Sequence, residues 1–175
     1  MKSPSQWNDI LIQCQVRPVT AARWAEVFSA TILSDTFSRD DELDDFLGQF
    51  LHESIMLEGM EESLNYTVDA LLGMFGRHRI TEEEARKYGR TATQKANQPA
   101  IANCLYGGSW GKKHLGNTEA GDGWKYRGRG GGVTGRTNYG KVGQVLGIDL
   151  VNNPDMLAQP EWALKSFIAW WEGNI

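Results

Sequence analysis

Residues 38–53, SRDDELDDFLGQFLHE, predict an amphipathic helix with one face turned toward a core. Apolar side chains recur at positions i, i+3, i+4, i+7 and i+8, which is one face of a 3.6-residue period. They are Leu43, Phe46, Leu47, Phe50 and Leu51. Ser38 followed by Asp41 is typical of a helix start, and the helix carries His52 and Glu53 at its C-terminal end.

The same periodicity extends outward from this stretch and predicts a mainly α-helical protein. Further helices are expected around Trp24–Ile32 with Thr20 as the cap, 68–75, 81–88 with a Thr81–Glu84 capping box, 100–105, 139–146, and from Pro160 through Trp171. No alternating strand pattern of useful length occurs, so we expect at most a small hairpin, inside the glycine-rich region. We predict a single domain over residues 1–175.

Composition excludes several classes of protein. The chain has 175 residues and a formal net charge of −4, with 41% hydrophobic and 23% charged residues, which is typical of a globular domain. No apolar run has the ~18 residues that a membrane span needs, so we expect no membrane insertion. No signal peptide is visible, and two cysteines cannot form a disulfide framework, which favours a reducing cytoplasm.

Charge and glycine are distributed unevenly along the chain. Residues 35–62 contain ten acids against one arginine, and residues 76–141 contain thirteen Lys or Arg against five acids. Such segments are usually two solvated faces; the alternative is a cleft for an anionic polymer. Fourteen of the twenty glycines fall within 106–147, which predicts a loop-rich region.

The common catalytic and binding motifs are absent. There is no Gly-x-Ser-x-Gly elbow, His52-Glu53 lacks the second histidine of a zinc protease, and no cluster has metal-ligand spacing. The glycine run 128–136 lacks the Gly-Lys-Ser/Thr ending of a phosphate loop. We therefore expect no metal, no cofactor and no nucleic-acid partner.

Carboxylates remain as candidate catalytic groups. Glu53 lies at the end of an apolar stripe, where partial burial would keep it protonated as a general acid. An inverting glycosidase needs a second carboxylate roughly 6.5–9.5 Å away. On one straight helix Glu53 and Glu62 would be about 13.5 Å apart, so the chain has to fold back, and Gly59 is the natural break. Glu58 and Glu61 remain alternatives for the second role.

The stretch from Phe50 to Arg136 resembles the family 19 glycoside hydrolases, a chitinase family, and especially their phage endolysin and lysozyme-like branch. The matching segments are FLHES at 50–54, EESLNYT at 61–67, FGRHRIT at 75–81, AIAN at 100–103, YGG at 106–108, LGNTE at 115–119 and GDGWKYRGRG at 121–130. The motifs cover roughly half of the chain, and the last of them is long and specific.

This resemblance implies a lysozyme-like, two-lobed helical fold and hydrolysis of β-1,4 bonds between amino sugars with inversion. It assigns the general acid to Glu53 and the residue that activates water to Glu62. It also implies sugar subsites lined by Tyr106, Asn117, Tyr126 and Arg129, with loop scaffolding as the alternative for the last two.

Three departures from the family pattern bear on activity. Ile55 and Met56 stand where the family has glycines or small residues. The segment after Gly130 is one residue shorter and lacks the family's cleft-facing glutamine. The chain stops after Trp170 and Trp171, where relatives continue with further helices, so we expect an exposed apolar patch there.

Two functions from different classes follow from these observations. The first is an endolysin that cuts peptidoglycan as a muramidase, with a chitinase as a variant. It would wait in the cytoplasm of a host bacterium until a holin or similar pore gives it access to the periplasmic wall. The second is a non-catalytic descendant that binds a glycan or a protein partner. The intact carboxylates favour the first; the missing glutamine and the short C-terminus favour the second.

Overall fold

The computed structural model describes all residues from Met1 to Ile175 and is mainly helical. Its elements are α1 (Pro4–Gln13), α2 (Pro18–Thr31), α3 (Asp40–Glu53), α4 (Val68–Met74), α5 (Glu82–Tyr88), α6 (Gln98–Leu105), α7 (Gly108–Leu115), α8 (Asp122–Lys125), α9 (Arg136–Leu146), a 3₁₀ helix (Pro154–Ala158) and α10 (Pro160–Trp171). There is no sheet, only isolated bridges such as the one between Arg129 and Val133. The predicted fold class is confirmed, and the architecture is consistent with a lysozyme-like helical fold.

Helix starts follow local capping chemistry, with two corrections to the predictions. The Thr81–Glu84 capping box and the start of α10 at Pro160 are confirmed. Thr20 is not a cap, because α2 begins earlier, at Pro18 in its first turn, where proline's fixed φ and missing N–H cost nothing. Ser38 is not the cap of α3; Arg39 holds that position, and both the amide and the hydroxyl of Ser38 donate to Glu42.

Three α-helices escaped prediction: α1, α7 and the four-residue α8. Helix α1 begins with a capping box in which the Ser3 hydroxyl accepts from the Gln6 amide and the Gln6 side chain accepts from the Ser3 amide. Helix α7 contains Gly108 and Gly111, which are poor helix formers, and it ends at Gly116 in the left-handed conformation. The Ser-x-x-Gln pattern was a usable signal for α1.

The chain divides into two compact units. The first comprises Met1–Met60, Gly130–Gly132 and Asp155–Ile175; the second comprises Glu61–Arg129 and Val133–Pro154. The predicted stripe of α3 lies in the core of the first unit, where Phe46, Phe50 and Phe167 pack with ring centroids 4.9–5.8 Å apart. The second unit has its own core around Leu71, Ile80 and Leu105.

The two tryptophans at the end of α10 differ in exposure. Trp170 is 51% exposed, as expected for that patch. Trp171 instead packs edge-on against Phe46 at 5.7 Å, and its indole N–H lies 3.4 Å from Oε1 of Glu42. Only one of the two therefore contributes a fully exposed apolar surface.

No helix of the structure has the combination of length and apolar character that crossing a bilayer requires.

Candidate active site

Glu53 is the last residue of α3, as predicted, and it belongs to the first unit. Its side chain is exposed and accepts a hydrogen bond of 2.9 Å from Nε2 of Gln49, one turn earlier. The expectation that burial surrounds this carboxyl is wrong. The helix ends here, and Ser54, four residues after Phe50, takes the buried position that continues the apolar stripe.

The backbone directly after Glu53 turns in the left-handed conformation. Ile55, Met56 and Leu57 have φ angles of 50°, 55° and 69°, a region that side chains with a Cβ rarely adopt. The turn is closed by the Met56 amide, which donates to the Leu51 carbonyl, and by the Leu57 amide, which donates to the Ser54 hydroxyl. Ile55 is 70% exposed, so its bulk extends into solvent.

The alternatives for the second carboxylate are both held in ion pairs. Glu58 accepts from the Thr20 hydroxyl at 2.5 Å and lies 3.5 Å from Nε of Arg17. Glu61 accepts from Nε of Arg129 at 2.8 Å and from Nη2 of Arg127 at 3.2 Å. Burial alone would raise the pKa of Glu61, but these two guanidinium groups outweigh it and lower that pKa.

Glu62 is held by neutral donors instead. The Tyr106 hydroxyl donates to Oε2 of Glu62 at 2.8 Å, and the Gly128 amide donates to Oε1 at 2.5 Å. The Glu62 amide in turn donates to the Gly128 carbonyl at 2.9 Å. A carboxylate has about four lone-pair sites, so two remain for a water molecule. Of the three acids, Glu62 is the one oriented without a compensating cation.

Tyr106 is fixed by the same contact. Burial first, and then the negative charge of Glu62, raise the pKa of the Tyr106 hydroxyl, which therefore stays protonated and donates. Gly128 permits the close approach, because a Cβ there would lie 3.2 Å from the carboxyl carbon of Glu62. The structure thus unites a residue of the EESLNYT segment with one of the GDGWKYRGRG segment.

Burial corrects the prediction for three of the expected sugar-binding side chains. Asn117 is 4% exposed; its Nδ2 donates to the Tyr106 carbonyl and its Oδ1 accepts from the Arg136 amide, both at 2.9 Å. Tyr126 is 0% exposed and donates to the Val151 carbonyl at 2.8 Å. Arg129 is 1% exposed and paired with Glu61. The polar groups of these side chains are bonded to other residues of the second unit, and they present no face on which a pyranose ring could stack.

The predicted site residues therefore separate into two groups. Tyr106, Asn117 and Glu62 are joined by hydrogen bonds within the second unit, and Tyr126 and Arg129 belong to the scaffold of that unit. Glu53 belongs to the first unit. Sequence reasoning missed the role of Gly128, although its position within a glycine-rich run was a signal for close backbone approach.

No group of three or more His, Cys, Asp or Glu side chains is arranged to hold a metal ion.

The chain was compared with family models and with known proteins. No family model matches the chain. It is 33% identical over 128 residues to a protein of Haemophilus influenzae (strain ATCC 51907 / DSM 11121 / KW20 / Rd) named "Glycosyl hydrolase family 19 domain-containing protein". The match covers 73% of this chain and 59% of that protein, so the chain spans less than two thirds of its relative.

Proposed function

We propose that this chain is a family 19 glycoside hydrolase that cleaves β-1,4 bonds between the amino sugars of peptidoglycan, as an endolysin-type muramidase. The observation that carries the proposal is the Glu62 carboxylate, oriented by Tyr106 and Gly128 with lone pairs left for water. The relative's printed name supports the broader class, glycoside hydrolase. On this proposal the protein accumulates in a host bacterium's cytoplasm and reaches the periplasmic wall after a holin or similar pore opens.

In the proposed reaction one carboxyl group donates a proton and the other accepts one. Glu53 donates its proton to the glycosidic oxygen while the bond to the anomeric carbon breaks. Water, held by Glu62, attacks that carbon from the opposite face and gives its proton to Glu62, which inverts the configuration. Glu53 ends as a carboxylate and Glu62 as a carboxylic acid, and exchange with solvent restores both.

Because Glu53 is exposed, the substrate itself has to exclude water from its carboxyl group. The side chain is exposed to solvent, and a glycan strand laid over it would exclude that water from the reacting bond. Its hydrogen bond from Gln49 would hold the carboxyl at the helix end while this happens.

The test is hydrolysis of purified peptidoglycan by Glu53→Gln and Glu62→Gln variants, measured as release of reducing ends. Loss of the proton donor or acceptor should lower kcat by at least ~10²-fold. Glu83→Gln is the matched control, because Glu83 is an exposed acid on α5 outside the site, and it should retain the wild-type rate. A Glu53→Gln variant with near wild-type kcat would remove Glu53 from the mechanism.

Two further readouts separate the finer parts of the proposal. The anomer formed first, followed by proton NMR, distinguishes inversion from retention. Parallel assays on peptidoglycan and on chitin oligosaccharides distinguish a muramidase from a chitinase.

The exposure of Glu53 also favours a second candidate, a non-catalytic descendant that binds glycan. The missing glutamine in the 131–136 segment points the same way. This candidate predicts that the wild-type chain pulls down with insoluble peptidoglycan, releases no reducing ends and fails to lyse outer-membrane-permeabilised Gram-negative cells.

A further inference from the structure

A basic cavity lies in the second unit, apart from the carboxylate contacts described above. It has a volume of about 530 Å³ and lies where the segment after α4 meets α5, α6 and the start of α7. Its basic lining comes from three consecutive residues, Arg77, His78 and Arg79. Neither the proposed acid nor the proposed base lines this cavity, so the proposed hydrolysis leaves its chemistry unexplained.

Arg79 is held rigidly but keeps donors available. Its Nε donates to the Leu105 carbonyl at 2.7 Å, and its guanidinium carbon lies 3.5 Å from the centre of the Trp110 ring. The two terminal nitrogens make no hydrogen bond within the chain. A guanidinium presents its donors in a planar fork that matches a carboxylate, and stacking fixes that plane in advance.

The two neighbouring basic residues are placed by their backbone. The His78 ring packs over Gly76, where an added Cβ would lie 2.5 Å from Cε1 and Nδ1 of the ring. Nη2 of Arg77 donates to the Leu72 and Phe75 carbonyls at the end of α4. One acid, Glu84, also lines the cavity, but its Oε2 already accepts from the Thr81 amide at 2.9 Å as the helix cap. The cavity therefore offers cationic donors in excess.

Arg79 also connects the cavity to the proposed base. Its guanidinium carbon lies 5.9 Å from the centre of the Tyr106 ring, and the Tyr106 hydroxyl donates to Glu62. A saccharide that reaches both Glu62 and the cavity would bind more tightly if it carried an anionic group that pairs with the cationic lining. Peptidoglycan has such groups, namely the carboxylates of the stem peptide or, on a muramic acid residue without a peptide, the free lactyl carboxylate, whereas chitin is neutral.

We infer that the cavity lined by Arg77, His78 and Arg79 binds a carboxylate carried by the muramic acid residue of the substrate. The inference rests on the proposed function in that it takes peptidoglycan as the ligand, and it makes this cavity the part of the protein that discriminates peptidoglycan from chitin. Charge-assisted hydrogen bonds from the Arg79 fork to the carboxylate supply that discrimination.

The experiment measures binding, so that it does not depend on catalysis. Three probes are titrated into the full 175-residue protein while the indole N–H resonance of Trp110 is followed by NMR. They are N-acetylglucosaminyl-N-acetylmuramyl tetrapeptide, the same disaccharide without peptide, and di-N-acetylchitobiose. None of the three contains the muramyl-to-glucosaminyl bond that the proposed reaction cleaves.

The inference predicts a selective loss in Arg79→Gln. Its Kd for the peptide-bearing probe should rise by about tenfold, the effect of losing charge-assisted hydrogen bonds, and its Kd for chitobiose should change by less than about twofold. The lactyl carboxylate is free only in the peptide-free disaccharide, because in the other muramyl probe it forms the amide bond to the peptide. An equal loss of affinity for the disaccharide therefore shows that the free lactyl group can also occupy the cavity, and an unchanged Kd restricts the site to carboxylates of the stem peptide.

Two further variants complete the test. Arg79→Gln removes the side chain that stacks on Trp110, so a second variant is needed. His78→Gln, at an exposed position, should selectively weaken binding of the peptide-bearing probe. Lys95→Gln removes one exposed positive charge of the same unit outside the cavity and should leave all three Kd values unchanged. Equal changes for charged and neutral probes, or none in both cavity variants, would overturn the inference. Selective binding without hydrolysis would overturn the proposed function instead.

Discussion

The ion pair between Asp122 and Arg136 should stabilise the segment that presents Gly128 to Glu62. Asp122 is 3% exposed, and its two carboxylate oxygens accept from Nε and Nη2 of Arg136, each at 3.0 Å. Oδ2 also accepts from the Glu119 amide at 3.1 Å. Asp122→Asn keeps the shape but leaves the guanidinium without its counter-charge.

The expected loss follows from the exposure of the two partners. Breaking a fully buried pair costs about 3–5 kcal/mol. The Arg136 side chain is 33% exposed, so water partly replaces the lost partner, and we expect a loss of about 2–3 kcal/mol in the free energy of unfolding. At about 2–4 °C per kcal/mol for a chain of this size, the melting temperature should fall by roughly 4–12 °C.

The same contact predicts a pH dependence. Burial would raise the pKa of Asp122, but the hydrogen bonds and charge of Arg136 outweigh it and hold that pKa below its ordinary value. A carboxylate with a lowered pKa in the folded state stabilises the fold above its unfolded pKa of about 3.9, and that contribution is lost as the pH falls through the folded value. The difference between wild type and Asp122→Asn should therefore be full at pH 7 and shrink below about pH 4.

The assay is thermal unfolding by circular dichroism of wild type, Asp122→Asn, Arg136→Gln and the double variant. The cycle isolates the interaction between the two side chains. Additive losses in the double variant, or a loss under about 0.5 kcal/mol in Asp122→Asn, would refute the argument from burial and geometry.

Three further predictions concern the site, helix α8 and the C-terminal patch. Tyr106→Phe removes one donor to Glu62 and should lower kcat by roughly 10- to 100-fold with little change in KM, since a hydrogen bond to a charged group contributes about 1.5–3 kcal/mol. A rise in KM alone would place Tyr106 in substrate binding. Gly123→Ala would place a Cβ 2.4 Å from the Ala102 carbonyl oxygen, so it should lower the free energy of unfolding by about 1–3 kcal/mol, measured by denaturant unfolding. The control Gly48→Ala, whose Cβ would meet nothing within 4 Å, should not lower it. Trp170→Phe should remove the largest share of iodide-quenchable tryptophan fluorescence, because Trp170 is the one exposed tryptophan. An unchanged quenching curve would contradict its exposure.

Local patterns predicted the helices well where one face is strongly apolar. The stripe of α3 and the capping box of α5 depend on residues three or four positions apart, and both are confirmed. Thr20 failed as a cap because a proline two residues earlier satisfied the helix start sooner, which left the Thr20 hydroxyl free to bond Glu58.

The contacts of the site could not be predicted from local patterns. Tyr106 and Glu62 are 44 residues apart, and Arg129 and Glu61 are 68 apart, so only the tertiary fold pairs them. The presence of a charge on a side chain did not predict its burial either. Arg129 is buried because Glu61 compensates it, whereas Glu53 is exposed because it lies off the apolar stripe of α3, which Ser54 continues.

The left-handed turn after Glu53 makes the path of the chain beyond this residue depend on the packing of the whole first unit. Each residue with a Cβ in that conformation costs about 1–2 kcal/mol, and three occur in succession. The cost is offset by the fully buried Leu57 side chain and by the bond between its amide and the Ser54 hydroxyl. A peptide of α3 and this turn, cut away from the core, would relax to right-handed backbone and lose the native path of the chain beyond Glu53. The path of the chain beyond Glu53 is thus set by long-range packing, which outweighs the local backbone preference of residues 55–57.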